Sequence, residues 1–165
     1  MTDQMKLLSA IAGSSDQAWL MRCRDHNSKL GNQNIVEAVK RRLLDLGLEE
    51  ALKKRPHGAS FEERMDEALR VYEECLKHKH GRKQAAGYTR RSIRDHGYRE
   101  ALIRTVRKKE SAGLALLAKH ERLDCSYEQI AIDFAASEDL PEDVVKQALR
   151  TLERYKEEKT RLREG

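Results

Sequence analysis

Residues 60–81 read SFEERMDEALRVYEECLKHKHG. Ser60 and Glu63, three residues apart, form the pattern of a capping box at the start of a helix. Apolar residues then recur at spacings of three and four, which indicates an amphipathic helix with one buried face. The helix should end near His80, because Gly81 readily takes the left-handed conformation that follows a helix. Its predicted buried face is Phe61, Met65, Ala68, Leu69, Tyr72, Cys75 and Leu76.

Other helical segments lie on both sides of this stretch, separated by glycine, serine or proline. Ser14 or Ser15 should cap a helix that stops at Gly31, and a further helix should run from Asn32 or Asn34 to Gly47. Beyond Gly81 we predict helices at about Lys83–His96, Tyr98–Glu110 and Ala112–Ala118, a helix capped by Ser126, and a last helix that starts at Pro141.

Composition agrees with an all-α fold. Charged residues make up 37% of the chain and aromatic residues only 5%, which suits amphipathic helices better than strands. We therefore predict a single compact orthogonal bundle of about seven or eight helices over residues 1–158. The polar residues 159–165 should form a frayed tail.

The positive charge of the chain is concentrated in its middle. Residues 77–109 contain twelve Lys or Arg and two acids, Asp95 and Glu100, for a local charge of +10 (12 − 2). Since the whole chain carries +5 (33 − 28), the remaining residues sum to −5 (21 − 26). A solvated helical face normally mixes both signs, so this asymmetry indicates contact with a polyanion, most commonly nucleic acid.

Two short helices joined at Gly97 would each have one buried and one cationic face, an arrangement that resembles a helix-turn-helix unit. Arginine outnumbers lysine here, and its planar guanidinium matches phosphate and the guanine edge. Tyr88, Thr89 and Ser92 could add hydrogen bonds to phosphate. The predicted nucleic-acid-binding residues are Arg82, Lys83, Arg90, Arg91, Arg94, Arg99, Arg104, Arg107 and Lys108.

These residues predict a nucleic-acid-binding protein, with a regulatory role among the options, that contacts phosphates through residues 82–109. Duplex DNA is favoured over single strands or RNA, because Tyr88 and Tyr98 are too few aromatic residues for a base-stacking platform. An alternative is an adaptor or inhibitor whose cationic face docks on an acidic protein partner. The apolar face of residues 144–155 could also pair with a second copy of the chain.

A third hypothesis is enzymatic. Arg91 and His96 match the Arg-x4–6-His pattern of the helical ribonucleases called HEPN, in which arginine holds phosphate and histidine moves a proton. In a chain this rich in arginine the pattern arises readily by chance. We therefore predict no catalytic residue and regard an enzyme as the less favoured class.

Cysteine and histidine give two metal-like spacings, Cys23-x2-His26 and Cys75-x2-His78. Both cysteines fall on apolar helix faces, where a buried free thiol is the ordinary explanation, so we predict neither a metal nor a cofactor. Three widely spaced cysteines indicate reduced thiols, and no apolar run reaches the length of a membrane span. The expectation is a cytoplasmic protein.

Overall fold

The capping box at Ser60 is present in the computed structural model, which describes residues 2–52, 58–108 and 111–165. The Ser60 hydroxyl accepts a hydrogen bond from the Glu63 N–H at 3.2 Å, and the Glu63 carboxylate accepts one from the Ser60 N–H at 2.7 Å. The helix that follows ends at Gly81, whose φ of 69° is left-handed. The caps and the length of this helix are therefore as predicted.

Eight α-helices and one short 3-10 helix make up the described part of the chain, in which no strand occurs. In chain order they are α1 (Asp3–Gly13), α2 (Gln17–Lys29), α3 (Gln33–Leu52), α4 (Phe61–His80), α5 (Gly87–Arg107), α6 (Ala112–Lys119), the 3-10 helix (Leu123–Cys125), α7 (Tyr127–Asp133) and α8 (Glu142–Glu164). The prediction of a single all-α bundle is confirmed. None of the described helices is both long enough and apolar enough to span a bilayer.

The helix α4 connects two of the three clusters of buried apolar side chains. Its first half packs with α5, α7 and α8 around Met65 and Leu102. Its second half packs with α3, α6 and the 3-10 helix around Val71 and Cys75. The third cluster joins α1, α2 and the start of α3 through residues such as Leu20. The bundle is therefore organised along α3 and α4, and α5 lies at one side of it.

The prediction that Gly47 ends a helix is wrong, because α3 continues through it to Leu52. A Cβ atom at this position would collide with the side chain of Glu74 on α4. Gly47 therefore lies inside a helix rather than at a turn, and the flexible Glu74 side chain occupies the space beside it. The glycine expected to end the helix instead lies next to Glu74, a residue 27 positions away in the sequence.

The two ends of the chain also differ from expectation. Residues near the N-terminus form α1, which the sequence patterns do not assign, and α2 is capped by Asp16 rather than Ser14 or Ser15. At the other end α8 continues through the predicted tail to Glu164, with Lys159 bonded to Glu121 at 2.9 Å. Fraying of residues 159–165 in solution stays a prediction.

Apolar residues of α8 are used largely within the chain itself. Val144, Ala148 and Leu152 are buried in the bundle, the first two of them in its first cluster, whereas Leu149 is exposed. Pairing with a second copy through residues 144–155 therefore stays a prediction, and it would have to rest on the exposed side of this helix.

Candidate nucleic-acid interface

Gly97 reverses the direction of α5. Its φ of 82° and ψ of 168° are not helical, so the element consists of two helices, α5a (residues 87–96) and α5b (residues 98–107). A continuous helix would hold Tyr88 and Lys108 about 30 Å apart. The Lys108 ammonium instead lies 3.7 Å from the centre of the Tyr88 ring. The two helices therefore fold back on each other.

The predicted junction of two helices at Gly97 is thus present, but the helix-turn-helix detail is not confirmed. That motif joins its helices by a turn of about three or four residues. Here a single glycine separates α5a from α5b. The first helix also begins at Gly87 rather than Lys83, and the predicted end of the second helix, Lys109 and Glu110, lies outside the described residues.

All nine predicted nucleic-acid-binding residues have exposed side chains, as do Lys77 and Lys79. On α5a, Arg90, Arg91 and Arg94 share the face opposite the buried Ser92. On α5b, Arg104, Arg107 and Lys108 lie opposite the buried Leu102. The segment therefore has the two-faced character that its sequence predicts.

Arg90 is tied to the body of the protein. Its guanidinium donates two hydrogen bonds to the carboxylate of Glu73 on α4, at 2.6 and 2.7 Å. The same carboxylate accepts a hydrogen bond from the Ala86 N–H at 2.9 Å, where α5a begins. Burial raises the pKa of Glu73, but these hydrogen bonds outweigh burial and leave the pKa below its ordinary value. Arg90 and Glu73 together anchor the start of α5a.

Three further arginines pair with acids at the surface. Arg94 bonds Asp95 at 3.1 Å, Arg104 bonds Glu100 at 2.9 Å, and Arg107 bonds Asp143 at the start of α8 at 3.0 Å. The arginine side chains in these pairs are at least half exposed. Exposed pairs of this kind contribute little to stability and are screened by salt.

Arg99 has a different role. Its guanidinium donates hydrogen bonds to the main-chain carbonyls of Glu138 and Asp139, at 3.0 and 2.6 Å. These carbonyls lie in the connection between α7 and α8. Arg99 therefore fixes this connection against α5b. Its acceptors are neutral carbonyl oxygens, so they do not cancel its positive charge.

The remaining predicted residues carry unneutralised charge. Within the described part of the chain, Arg82, Lys83 and Arg91 form no ion pair. The Lys108 ammonium lies over the Tyr88 ring, and its proximity to the phenol lowers the pKa of Tyr88. The Tyr88 side chain is itself 60% exposed. These four cations are the ones most available to an outside anion.

The basic segment keeps a net positive charge after its ion pairs with acids are counted. The described residues between Lys77 and Lys108 include eleven lysines and arginines, and the acids that pair with them or lie among them are Glu73, Asp95, Glu100 and Asp143. The balance is +7 (11 − 4). The local field is therefore strongly positive even when these four carboxylates are counted.

Two of the predicted auxiliary contacts are not available in this form. Ser92 is 8% exposed and faces the interior, and Thr89 is half-buried beside it. Serine is polar, so an outward position is expected for Ser92, yet on α5a it lies beside the half-buried Thr89 and Ile93 and is itself buried. Tyr88 alone among the three is exposed.

Arg91 and His96, the residues of the HEPN-like pattern, both lie exposed on α5a. No hydrogen bond joins them in the described structure. The pattern therefore brings two chemically suitable side chains to one helix without assembling them into a site.

Neither cysteine–histidine spacing forms a metal site in the described residues, where no group of three or more potential ligands occurs. Cys75 is fully buried, and burial raises the pKa of its thiol to about 11. His26 is exposed and Cys23 half-buried. A thiol that stays protonated is a poor metal ligand, which agrees with the interpretation of Cys75 as a core residue.

Sequence patterns do not reveal Glu73 and Asp143, which pair with Arg90 and Arg107 from 17 and 36 residues away. Neither acid carries a local signal, because each lies on the polar face of a helix among other charged residues.

No protein-family model, curated protein or solved structure matches the chain.

Proposed function

We propose that this protein binds nucleic acid through the cationic faces of α5a and α5b together with Arg82 and Lys83, which precede α5a, and that duplex DNA is the expected ligand. The observation that supports the proposal is the net charge of +7 that remains after the four acids are subtracted from the eleven lysines and arginines, all of which are exposed. Such a surface attracts a phosphate backbone, and lysine and arginine are the residues that contact it. Binding of this kind depends on salt and only weakly on sequence.

Within this surface the cations divide by role. Arg90 and Arg99 hold α5 to the rest of the bundle, so they contribute mainly through field strength. Arg82, Lys83 and Arg91 are free of ion pairs in the described structure and are expected to contact phosphates directly. The exposed aromatic surface of the segment is limited to Tyr88, which favours backbone contact over stacking of single-stranded bases.

The test is an equilibrium titration of fluorescently labelled duplex DNA, single-stranded DNA and duplex RNA at three salt concentrations. We expect duplex DNA to bind tightest. The combined variant Arg82→Ala/Lys83→Ala/Arg91→Ala should weaken binding. It should also make the slope of log affinity against log salt shallower by about 0.9 for each phosphate that the variant no longer neutralises.

The matched control removes the same charge elsewhere. Arg150, Lys156 and Arg161 are exposed on α8 and form no ion pair within the described residues, so their combined replacement by alanine also removes three positive charges. Equal weakening by both triple variants would reduce the effect to net charge and reject the α5 surface. An absence of binding to any nucleic acid at low salt would reject the function and leave an acidic protein as the partner to seek.

A further inference from the structure

A small cavity lies where α4, α5, α6 and α7 meet, and a buried acid is among the residues that line it. The cavity has a volume of about 60 Å³. Its walls include apolar residues of α4 and α6, and two threonines, Thr89 from α5a and Thr105 from α5b. The reversal of α5 at Gly97 is what brings these two threonines to one cavity.

Glu128, near the start of α7, lines this cavity and is only 4% exposed. Burial raises the pKa of its carboxyl above the ordinary value, and the hydrogen bond from its own backbone N–H opposes this only in part. Among the described residues that line the cavity, none is a lysine, arginine or histidine. An ionised carboxylate in such a place is costly unless a cation accompanies it.

Several hydroxyl groups line the cavity, and the hydrogen bonds of two of them show which lone pairs remain open. The Thr105 hydroxyl donates its hydrogen to the Ala101 carbonyl at 2.8 Å, so its oxygen can only accept from a ligand. The Ser111 hydroxyl oxygen accepts from the Leu114 N–H at 3.2 Å, where it caps α6, and it keeps a second lone pair. Together with an ionised Glu128, these groups offer acceptors and negative charge.

We propose that this cavity binds a small primary alkylammonium ion, with Glu128 as its counter-ion and the Thr105 hydroxyl as a second acceptor. An ammonium group has three donors and no acceptor, so it complements the oxygens of Glu128, Thr105 and Ser111. The buried Tyr127 hydroxyl also lines the cavity and has no hydrogen-bond partner among the described residues, so its oxygen can accept from the ammonium as well. The rings of Tyr72 and Tyr127 and the side chains of Leu114 and Leu117 supply an apolar and aromatic lining for a short alkyl chain.

The size of the cavity suits a small ligand. A volume of about 60 Å³ accommodates a group of the size of ethylammonium. The space beside α6 depends on Gly113, because a Cβ atom there would lie 3.3 Å from the Tyr72 ring. The binding site is separate from the proposed DNA surface, and its test needs no nucleic acid.

The experiment titrates the full chain with ethylammonium chloride against sodium chloride at equal ionic strength, near neutral pH. Saturation-transfer NMR detects the bound ethyl protons, and the thermal unfolding midpoint reports stabilisation. We expect ethylammonium to raise the midpoint relative to sodium, because a ligand that binds only the folded state stabilises it. Binding should weaken as the pH is lowered, since protons then compete for Glu128.

The variant Glu128→Gln keeps the shape of the side chain and removes its charge. It should bind ethylammonium about tenfold to a hundredfold more weakly, the range expected for loss of a charge-assisted hydrogen bond. Thr105→Val should weaken binding several-fold through loss of one acceptor. Glu153→Gln, at an exposed position on α8, is the matched control and should bind like the parent protein.

Three results would overturn the proposal. The first is an equal response to ethylammonium in Glu128→Gln and in the parent protein. The second is stabilisation by sodium chloride as large as that by ethylammonium chloride. The third is a crystal grown with ethylammonium that shows only water beside Glu128.

Discussion

The two halves of α5 carry similar positive charge, yet they are held in place by different forces. In α5b, Ala101, Leu102, Ile103 and Val106 are buried, the last three of them in the largest apolar cluster. In α5a, Ser92 is the only buried residue, and the start of that helix depends on Glu73. Two neighbouring parts of one cationic surface are therefore held in different ways. The buried side chains of α5b form an apolar support, and the hydrogen bonds of Glu73 form a polar anchor for α5a.

The largest expected effect is on the apolar support. Leu102→Ala removes a side chain with no exposed surface and should lower the free energy of unfolding by about 2–5 kcal/mol. Ile93→Ala, at a half-buried position of α5a, should cost clearly less. Urea denaturation of both variants measures the difference. Equal losses would show that α5a is as firmly packed as α5b.

The connection between the two halves gives the next effect. Gly97 has a φ of 82° and a ψ of 168°, a conformation essentially restricted to glycine, so Gly97→Ala should cost about 1–3 kcal/mol. No atom lies within 4 Å of a Cβ atom placed there, which makes the cost one of backbone strain. Gly13→Ala is the control, because Gly13 has equal space and a helical backbone. A Gly97→Ala protein as stable as its parent would contradict the reversal at this residue.

Removal of the polar anchor should act more locally. Glu73→Ala leaves the Ala86 N–H and the Arg90 guanidinium without their acceptor, which we expect to cost roughly 1–2 kcal/mol. Amide hydrogen exchange should quicken in α5a and change little in α5b. Glu157→Ala, an exposed acid on α8, serves as the control. Exchange that quickens equally in both halves would show that they open as one unit.

The smallest expected effect is that of mild acid, which should lower the stability of the bundle without loosening α5a. His78 and His120 lie with ring centres 5.3 Å apart, between α4 and α6, and the His78 Nδ1 lies 3.1 Å from the Lys40 carbonyl oxygen. Burial lowers the pKa of both rings. At His78, the hydrogen bond to the Lys40 carbonyl and the charge of Glu37 raise the pKa and oppose this shift.

At His120, the neighbouring His78 lowers the pKa further, whereas Asp45 raises it. The positive charges of Arg41 and Lys119 lower the pKa of both histidines.

A histidine whose pKa is lowered by folding binds protons more readily in the unfolded chain. The free energy of unfolding should therefore fall as the pH drops from 7 towards and through the folded pKa values of His78 and His120. Glu73 behaves differently, because its pKa is lowered from 4.5 and its anchor is lost only below that value. Between pH 7 and 5.5 we expect global stability to fall while local exchange in α5a relative to the body stays unchanged. His78→Gln/His120→Gln should remove the pH dependence.

Sequence patterns predicted what depends on neighbours along the chain. The capping box of α4, its end at Gly81 and the break at Gly97 follow from residues within a few positions of each other. The exposure of the predicted cations also follows, because a helix cannot bury so many charges. Gly47 shows the limit of this reasoning, since α3 continues through it and the glycine does not end the helix.

The sequence predicts which cations belong to the candidate site, but it does not predict which of them form ion pairs with acids. Which arginines are tied to acids depends on Glu73 and Asp143, whose approach results from the packing of α4 and α8 against α5. The burial of Ser92 likewise depends on which side of α5a meets the bundle. These are tertiary effects, and no local pattern in the chain encodes them.

The carboxylates beside Arg94, Arg104 and Arg107 have a consequence for how a phosphate would arrive. Each of them occupies the position of an incoming anion, so association at these arginines is an exchange in which one oxygen ligand leaves as another enters. The duplex still sheds its counterions there, but the gain is offset by the acid set free. Affinity per arginine should therefore be lower at these three positions than at Arg82 or Arg91, whose guanidinium groups have no bound acid to give up within the described structure.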